Sequence, residues 1–296
     1  MLSSIADGKS SISNLLDSLD CQATINAFRK MGISINLKDD KTAIVNGKGL
    51  RGLKKPDSAI CLGNSGTTMR LLSGILAGQN FQVKLTGDES LNKRPMKRVT
   101  YPLRLMGADI EGADDANLAP LTIKGGRLKA IEYNSPIASA QVKSAILFAG
   151  LYADGRTKVT EPYKSRDHTE RILELFGVPI EKEGLSVAVR GMGTAELKGQ
   201  SINIPGDISS AGFFMALGAL AKDSEITITS CGINPTRAGI LRVLQRMGAH
   251  LELIHEKSGF EPCADILIKK SSLRATKITP DELPLLIDEV PIIALC

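Results

Sequence analysis

Tryptophan is absent from this 296-residue sequence, and aromatic side chains make up only 4% of it. Proteins that bind single-stranded nucleic acid stack bases on aromatic side chains, so this scarcity argues against such a partner even though the formal net charge is +5. No apolar run approaches the ~20 residues that cross a bilayer. The opening MLSSIADGKS lacks the basic region, apolar block and cleavage site of a secretory signal. The composition therefore predicts a cytoplasmic protein with no membrane or nucleic-acid partner.

Cysteine is also scarce, and its distribution is uninformative for metal binding. The five cysteines are scattered and odd in number, and they show no CxxC or Cys/His spacing: Cys21, Cys61, Cys231, Cys263 and Cys296. The three histidines have no metal-binding spacing among them either. These absences predict reduced thiols, no disulfide framework and no zinc site.

Four segments share one design, in which the end of a helix is followed by a glycine and then by a strand. The glycines recur at intervals of about 70 residues, in FRKMGISI, LRLMGADI, LELFGVPI and LQRMGAHL: Gly32, Gly107, Gly177 and Gly248. A glycine just after the last helical residue is a common helix stop because it accepts positive φ. The chain is therefore predicted to repeat a unit of helix, strand, second helix and further strands, which is a mixed α/β (α+β) fold.

The same repeat predicts where domains begin and end. The polar, turn-rich stretch LKGQSINIPGDISSAG (197–212) is the predicted hinge, with a first domain at 1–200 and a partial second domain at 201–296. Ala6 closes a helix whose first turns are missing, and LIDEVPIIALC begins a helix that stops midway. We therefore expect a chain truncated at both ends of its fold, with an incomplete second domain.

Glycine-rich approaches to helices indicate where anions could bind. In CLGNSGTTMRLLSGILAG (61–78), Gly63 to Gly66 lead into an apolar helix, whose first N–H groups lack partners and carry partial positive charge. The repeat places equivalent helix starts at 138–147 and 206–215, and basic residues occur at two others, in NKRPMKRV and KSRDHTERI. An ordinary capped turn at 61–78 remains open, as does a purely structural role for Arg70.

Five motifs then occur in order along the chain: LGNSGTTMRLLSGILAG, RPMKRVTYPLRLMGA, ASAQVKSAILFAGL, SRDHTERILELFG and LIDEVPI. Together they resemble the 5-enolpyruvylshikimate-3-phosphate synthase family over nearly the whole chain. The resemblance implies two domains, each of three βαβαββ units, with helix N-termini facing the cleft. It also implies a glyphosate-inhibited transferase of the shikimate pathway, which leads to chorismate and the aromatic amino acids. This transferase moves the enolpyruvyl group of phosphoenolpyruvate to the 5-hydroxyl of shikimate 3-phosphate and releases phosphate.

The resemblance implies where phosphoenolpyruvate binds. Gly66 would offer its backbone to this substrate with Asn64 nearby, and Arg94 would clamp its anionic groups. No metal or organic cofactor is implied. A site for two anionic substrates requires more hydrogen-bond donors than acceptors, together with one carboxylate for proton transfer.

The resemblance assigns a second group of residues to shikimate 3-phosphate. The loop Ser139, Ala140 and Gln141 would hold this substrate, with Gln141 also reaching the enolpyruvyl side. Ser165 would take another oxygen of the 3-phosphate. Asp288 would accept the proton of the 5-hydroxyl as that oxygen attacks phosphoenolpyruvate. The expected partners are these two small molecules, and the expected oligomeric state is a monomer.

Two other functions stay open at this point. The enolpyruvyl transferase that acts on UDP-N-acetylglucosamine shares the fold, but it has a reactive cysteine just before its Arg-Pro, where GDESLNKRP has none. A non-catalytic ligand-binding fragment would fit the expected truncation. Lys9, in DGKSSIS, imitates the family's Lys-Ser-Ile-Ser-x-Arg motif, but it falls in a helix-to-strand turn of the repeat, so we do not assign it as the catalytic lysine.

Overall fold

The computed structural model describes residues 1–296, in which helices alternate with short strands. Two 3-10 turns, Leu283–Leu285 and Ile287–Glu289, precede the last helix. The helices are α1 (Leu2–Ile5), α2 (Leu19–Lys30), α3 (Gly66–Ala77), α4 (Glu89–Asn92), α5 (Lys97–Leu105), α6 (Ala113–Ala116), α7 (Ala140–Gly150), α8 (His168–Leu175), α9 (Ile208–Leu220), α10 (Gly239–Arg246) and α11 (Val290–Ile293).

The strands are short and form five sheets. They are β1 (Asp7–Ser13), β2 (Ser34–Leu37), β3 (Ala43–Lys48), β4 (Ile60–Cys61), β5 (Gln82–Thr86), β6 (Asp109–Gly112), β7 (Leu118–Lys124), β8 (Leu128–Lys129), β9 (Glu132–Asn134), β10 (Ala153–Asp154), β11 (Arg156–Thr160), β12 (Ile180–Glu183), β13 (Ser186–Arg190), β14 (Ser201–Asn203), β15 (Glu225–Gly232), β16 (His250–Lys257) and β17 (Cys263–Lys269).

The first compact unit, residues 1–162 and 172–204, contains three four-stranded sheets. Their strand orders are β14-β1-β3-β2, β4-β5-β7-β6 and β9-β11-β13-β12. In each sheet the first two strands of the order are parallel to each other, and every other pair of neighbouring strands is antiparallel. Parallel neighbours need a crossover, which α3 supplies between β4 and β5 and α7 supplies between β9 and β11. These two sheets have the βαβαββ order, and the mixed α/β class predicted from the sequence is confirmed.

The four repeated glycines end four helices in the same way. Gly32, Gly107, Gly177 and Gly248 all have positive φ, between 83° and 96°. Each donates its N–H to the carbonyl three residues earlier, and the next residue donates to the carbonyl five residues earlier. This pair of bonds is the Schellman motif, which satisfies carbonyls at a helix end. The predicted helix stops are therefore confirmed.

Two buried helices form the centre of the first unit. A Cβ on Gly74 of α3 would lie 2.2 Å from the carbonyl oxygen of Ala145 in α7, so the two backbones touch at this point. Only a residue without a side chain allows that approach. The packing fixes the N-terminal ends of α3 and α7 relative to each other.

Lys9 lies in β1, opposite Asn46 of β3, within this unit.

The second compact unit contains residues 163–171 and 205–296. Its antiparallel sheet, β15-β17-β16, shares a core with α9, α10 and the 3-10 segment, and Met215, Ile266 and Leu286 are fully buried there. The predicted assignment of 1–200 and 201–296 to two domains of the family stays a prediction. All five cysteines are free thiols. None of the helices combines the length and apolarity that a membrane span requires.

Candidate active site

The loop that leads into α3 contains a glycine in the left-handed region. Gly63 has a φ of +56°, and Ser65 caps the helix by accepting the Thr68 N–H at 3.3 Å. Gly66 is the first helical residue, and its N–H donates to the carbonyl of Asn64 at 2.9 Å. The amide left without a partner at this helix start is that of Thr67, so Thr67 is the free backbone donor beside the predicted residues Asn64 and Gly66.

Arg94 is held at this helix start by Asn64. Its guanidinium donates to the Asn64 carbonyl at 3.3 Å and to the Asn64 side-chain oxygen. The Asn64 amide in turn donates to Asp88, the N-cap of α4, at 2.8 and 3.1 Å. The Leu91 N–H, the Asn64 amide and the Arg94 charge hold the pKa of Asp88 below its ordinary value. The short helix α4 therefore positions Arg94 beside Gly66.

Arg70 is a second arginine at the same point, and it is almost fully buried, with 7% of its surface exposed. It donates to Gln141 Oε1 at 2.9 Å and to the carbonyl of Pro95 at 3.3 Å. Burial, together with the positive charges of Arg98 and Arg94, lowers the pKa of Arg70 to about 10. Three clustered cations favour an anion nearby, because it would offset their mutual repulsion.

Gly66 lies against two of these cations. A Cβ at this position would be 3.0 Å from Arg70 Nη1 and 3.2 Å from Arg94 Nη1. Its φ is outside the left-handed region, so positive φ does not explain the glycine. The absence of a side chain leaves both guanidiniums close to the backbone, where an anion could contact all three groups.

The start of α7 supplies the second set of predicted residues. Ser139 is the N-cap and accepts the Val142 N–H at 3.5 Å. The N–H groups of Ala140 and Gln141 have no partner in the structure. The Gln141 amide donates to Thr67 Oγ1 at 2.9 Å. Together with the Arg70 bond, this contact joins the N-terminal ends of α3 and α7, so six of the predicted residues belong to one cluster.

The remaining two predicted residues, Ser165 and Asp288, belong to the second unit. Ser165 is 4% exposed, and its hydroxyl is buried without a hydrogen-bond partner. Asp288 lies in the second 3-10 turn with its side chain half exposed. Its Oδ2 is 2.5 Å from Arg166 and 3.1 Å from Arg237. Arg237 also pairs with the fully buried Glu289 at 3.2 Å, which fixes its guanidinium.

A network around Asp167 anchors the segment that carries Ser165 and Arg166. Asp167 Oδ1 accepts from Asn234 at 2.8 Å, from Arg171 at 2.9 Å and from Thr236 at 3.0 Å. Burial alone would raise the pKa of Asp167, but these hydrogen bonds and the Arg171 charge hold it below the ordinary value. The carboxylate is therefore ionised and satisfied at neutral pH.

The structure adds residues that the sequence reasoning left out. The sequence left open whether the role of Arg70 is purely structural. A signal for a role in the site was present, because Arg70 is a single charge inside the apolar run TTMRLLSGILAG. Arg237 lies in NPTRAG, an ordinary polar turn with no such signal. The structure contains no group of three or more His, Cys, Asp or Glu side chains that could hold a metal ion.

Comparison with known proteins gives one consistent result. The family model described as EPSP synthase (3-phosphoshikimate 1-carboxyvinyltransferase) matches residues 1–296. A 3-phosphoshikimate 1-carboxyvinyltransferase from Geobacillus thermodenitrificans (strain NG80-2) is 53% identical over 296 residues, which are 100% of this chain and 68% of that protein. The protein of the same name from Bacillus subtilis (strain 168) is 51% identical, with the same coverage of 100% and 68%.

A solved structure agrees with these relatives. The EPSP synthase from Acinetobacter baumannii matches with a TM-score of 0.91 and 47% identity, covering 98% of this chain and 66% of that one. The chain described here therefore spans about two thirds of the length of the relatives it matches.

Proposed function

This chain belongs to the EPSP synthase family of transferases, and on that premise we propose that it transfers the enolpyruvyl group of phosphoenolpyruvate to the 5-hydroxyl of shikimate 3-phosphate. The observation that carries the proposal is the cluster at the joined starts of α3 and α7. There, two helix N-termini, three unpartnered amides and the arginines Arg70 and Arg94 offer donors in excess of acceptors. A pair of anionic substrates needs such an excess of donors.

The roles follow from chemistry at each group. Arg94, with Gly66 and Asn64 beside it, binds the carboxylate and phosphate of phosphoenolpyruvate. Ser139, with the free amides of Ala140 and Gln141, binds shikimate 3-phosphate. Ser165, whose buried hydroxyl has no partner, is a further donor to the 3-phosphate.

Asp288 is the proposed proton acceptor. As the 5-hydroxyl oxygen attacks C2 of phosphoenolpyruvate, its proton passes to the carboxylate and C3 takes up a second proton, which solvent supplies. The tetrahedral intermediate then loses phosphate, which takes the proton from Asp288, and one C3 proton, which returns to solvent, to give the enol ether. Arg166 and Arg237 hold Asp288 Oδ2, so Oδ1 is the oxygen left to accept the proton.

Product formation tests the proposal directly. We expect phosphate release only when phosphoenolpyruvate and shikimate 3-phosphate are both present, with a product heavier than shikimate 3-phosphate by one enolpyruvyl group. Asp288→Asn should abolish turnover, while Asp281→Asn, a change at an exposed carboxylate, should not. Turnover with UDP-N-acetylglucosamine instead, or binding without turnover, would refute the proposal. The cytoplasmic location, the monomeric state and the lack of a nucleic-acid partner remain predictions.

A further inference from the structure

Glu161 and Lys143 form a buried ion pair at the start of α7. Glu161 follows the last residue of β11, and its N–H donates to the carbonyl of Leu185, so the sheet fixes its backbone. Lys143 lies in the first turn of α7. The Lys143 ammonium is 2.9 Å from Glu161 Oε2, and both side chains are only 4% exposed.

The other oxygen of the same carboxylate holds the helix cap. Glu161 Oε1 accepts the N–H of Ser139 at 3.1 Å. Ser139 Oγ accepts the Val142 N–H, so of the four amides at this helix start only those of Ala140 and Gln141 remain free. Glu161 therefore satisfies the Ser139 amide, and the amides of Ala140 and Gln141 remain for a ligand.

A carboxylate at this place also creates an electrostatic problem. A buried negative charge one hydrogen bond away from Ser139 opposes the binding of an anion to the neighbouring amides. The ammonium of Lys143, a residue of α7, neutralises the Glu161 charge. Removing one partner of a buried pair leaves an uncompensated charge, whereas removing both does not.

We propose that Glu161 and Lys143 are positioning residues of the shikimate 3-phosphate site. Glu161 orients the Ser139 cap through its N–H, and Lys143 cancels the Glu161 charge so that the 3-phosphate can bind. The inference rests on the proposed function, because that function assigns Ser139, Ala140 and Gln141 to this substrate.

Calorimetry with two ligands tests the charge balance. Shikimate 3-phosphate carries the phosphate and shikimate lacks it. We expect Lys143→Met to weaken shikimate 3-phosphate binding on the order of tenfold and to leave shikimate binding unchanged. The double variant Glu161→Gln/Lys143→Met should restore the affinity for shikimate 3-phosphate. Lys158→Met, which removes a lysine from β11 that pairs with Glu183 at 3.7 Å, should change neither affinity.

Equal losses for both ligands in Lys143→Met would overturn the proposal, because a general loss of structure has no preference for the phosphate. So would a folded double variant that fails to recover the affinity for shikimate 3-phosphate. If Lys143→Met does not fold, the double variant carries the test, since it leaves neither a buried carboxylate nor a buried ammonium unpaired.

Amide hydrogen exchange at Ser139 tests the positioning without any ligand. Glu161→Gln keeps an oxygen acceptor and should retain protection of the Ser139 amide, whereas Glu161→Leu should lose it. Unchanged protection in Glu161→Leu would overturn the role of Glu161. A wild-type chain that binds no shikimate 3-phosphate but shows the expected exchange pattern would refute the proposed function, while the pattern would still support the positioning of Ser139.

Discussion

At the scale of single residues, Gly66 gives the sharpest prediction. Its backbone is compatible with alanine, but the added methyl would press on Arg70 and Arg94, at 3.0 and 3.2 Å. Both contacts are with ends of flexible side chains, which can shift by a few tenths of an ångström. We expect Gly66→Ala to keep the melting temperature and to raise the phosphoenolpyruvate concentration needed for half-saturation, with weaker inhibition by the bulkier glyphosate. Steady-state kinetics beside a melting curve measures both.

Gly63 is the matched control for this prediction. It has a φ of +56° and open space around its Cβ position. Alanine there should cost about 1 kcal/mol of stability because of the left-handed backbone, with little change in ligand selectivity. The opposite pattern in the two variants, stability lost at Gly66 and selectivity lost at Gly63, would contradict our account of this helix start.

Arg94 is expected to act through its charge and its two-nitrogen fork. Arg94→Ala should weaken phosphoenolpyruvate binding by on the order of 2 kcal/mol or more, since a charge-assisted hydrogen-bond partner is lost. Its neighbour Lys93 has a side chain that is 73% exposed and pairs with Glu89 on α4. Lys93→Ala should leave the affinity nearly unchanged. Titration calorimetry of both variants measures the two affinities for phosphoenolpyruvate. Equal losses of affinity would mean that phosphoenolpyruvate responds only to the overall positive charge of the region and not to Arg94 itself.

The roles of residues near the site were predictable from the sequence to different degrees. Gly66 and Ser139 precede apolar helical runs, and that pattern alone indicates helix starts with free amides. The pairing of Gln141 with Arg70 was not predictable, because it depends on two helices distant in sequence meeting at their N-terminal ends. Buried partners such as Glu161 and Lys143 become visible only once the packing is known.

At the scale of elements, one ion pair fixes the end of α10. Arg246, the last residue of that helix, makes a two-pronged contact with Glu282 at 2.8 and 3.1 Å. The Arg246 guanidinium and the Thr279 N–H lower the pKa of Glu282 from 4.5 to about 2. The stabilising contribution is therefore complete above pH 4.5 and is lost as the pH falls towards 2.

We expect the difference in melting temperature between wild type and Glu282→Gln to follow that dependence. It should be largest above pH 4.5 and should vanish as the pH falls through 2. Thermal melts over a pH series measure it, with Asp281→Asn as the exposed control. A difference that stays constant with pH would show that Glu282 stabilises by packing and not through its charge.

Helix ends were the most predictable elements, and short helices were the least. The four Schellman glycines were identified from spacing because only glycine takes that backbone conformation without strain. The four-residue helix α4 was not predicted, since too few residues carry a periodic pattern. Its absence from the prediction matters, because α4 is what places Arg94 against Asn64.

At the scale of the whole molecule, one apolar face stands out. The residues of α9 that point away from the core of the second unit form a stripe at helical spacing, with exposures of 64% for Phe213, 56% for Phe214, 53% for Leu217 and 43% for Leu220. Contiguous apolar patches of this kind favour association. The monomeric state expected from the family resemblance stays a prediction, and this face is where it can be tested.

We expect the chain to be monomeric at low concentration and to self-associate only as its concentration rises, and we expect Phe213→Gln/Phe214→Gln to suppress that association. Analytical ultracentrifugation over a concentration series measures both. Leu185→Gln, at an isolated apolar residue that is 45% exposed in the first unit, is the control and should behave as wild type. A wild-type chain of constant monomeric mass would contradict the expectation.

The parallel pairing of β1 with β14 has a consequence for how the nascent chain folds. Ser11 pairs with Ser201 across this ladder, and a hydrogen bond beside it joins residues 190 positions apart. At roughly 5–20 residues per second, a ribosome needs roughly 10–40 s to make the intervening chain. Throughout that interval β1 can pair with β3 on one side only, and its other edge stays open to unrelated strands. Chaperone demand and sensitivity to slow translation should therefore be concentrated at β1.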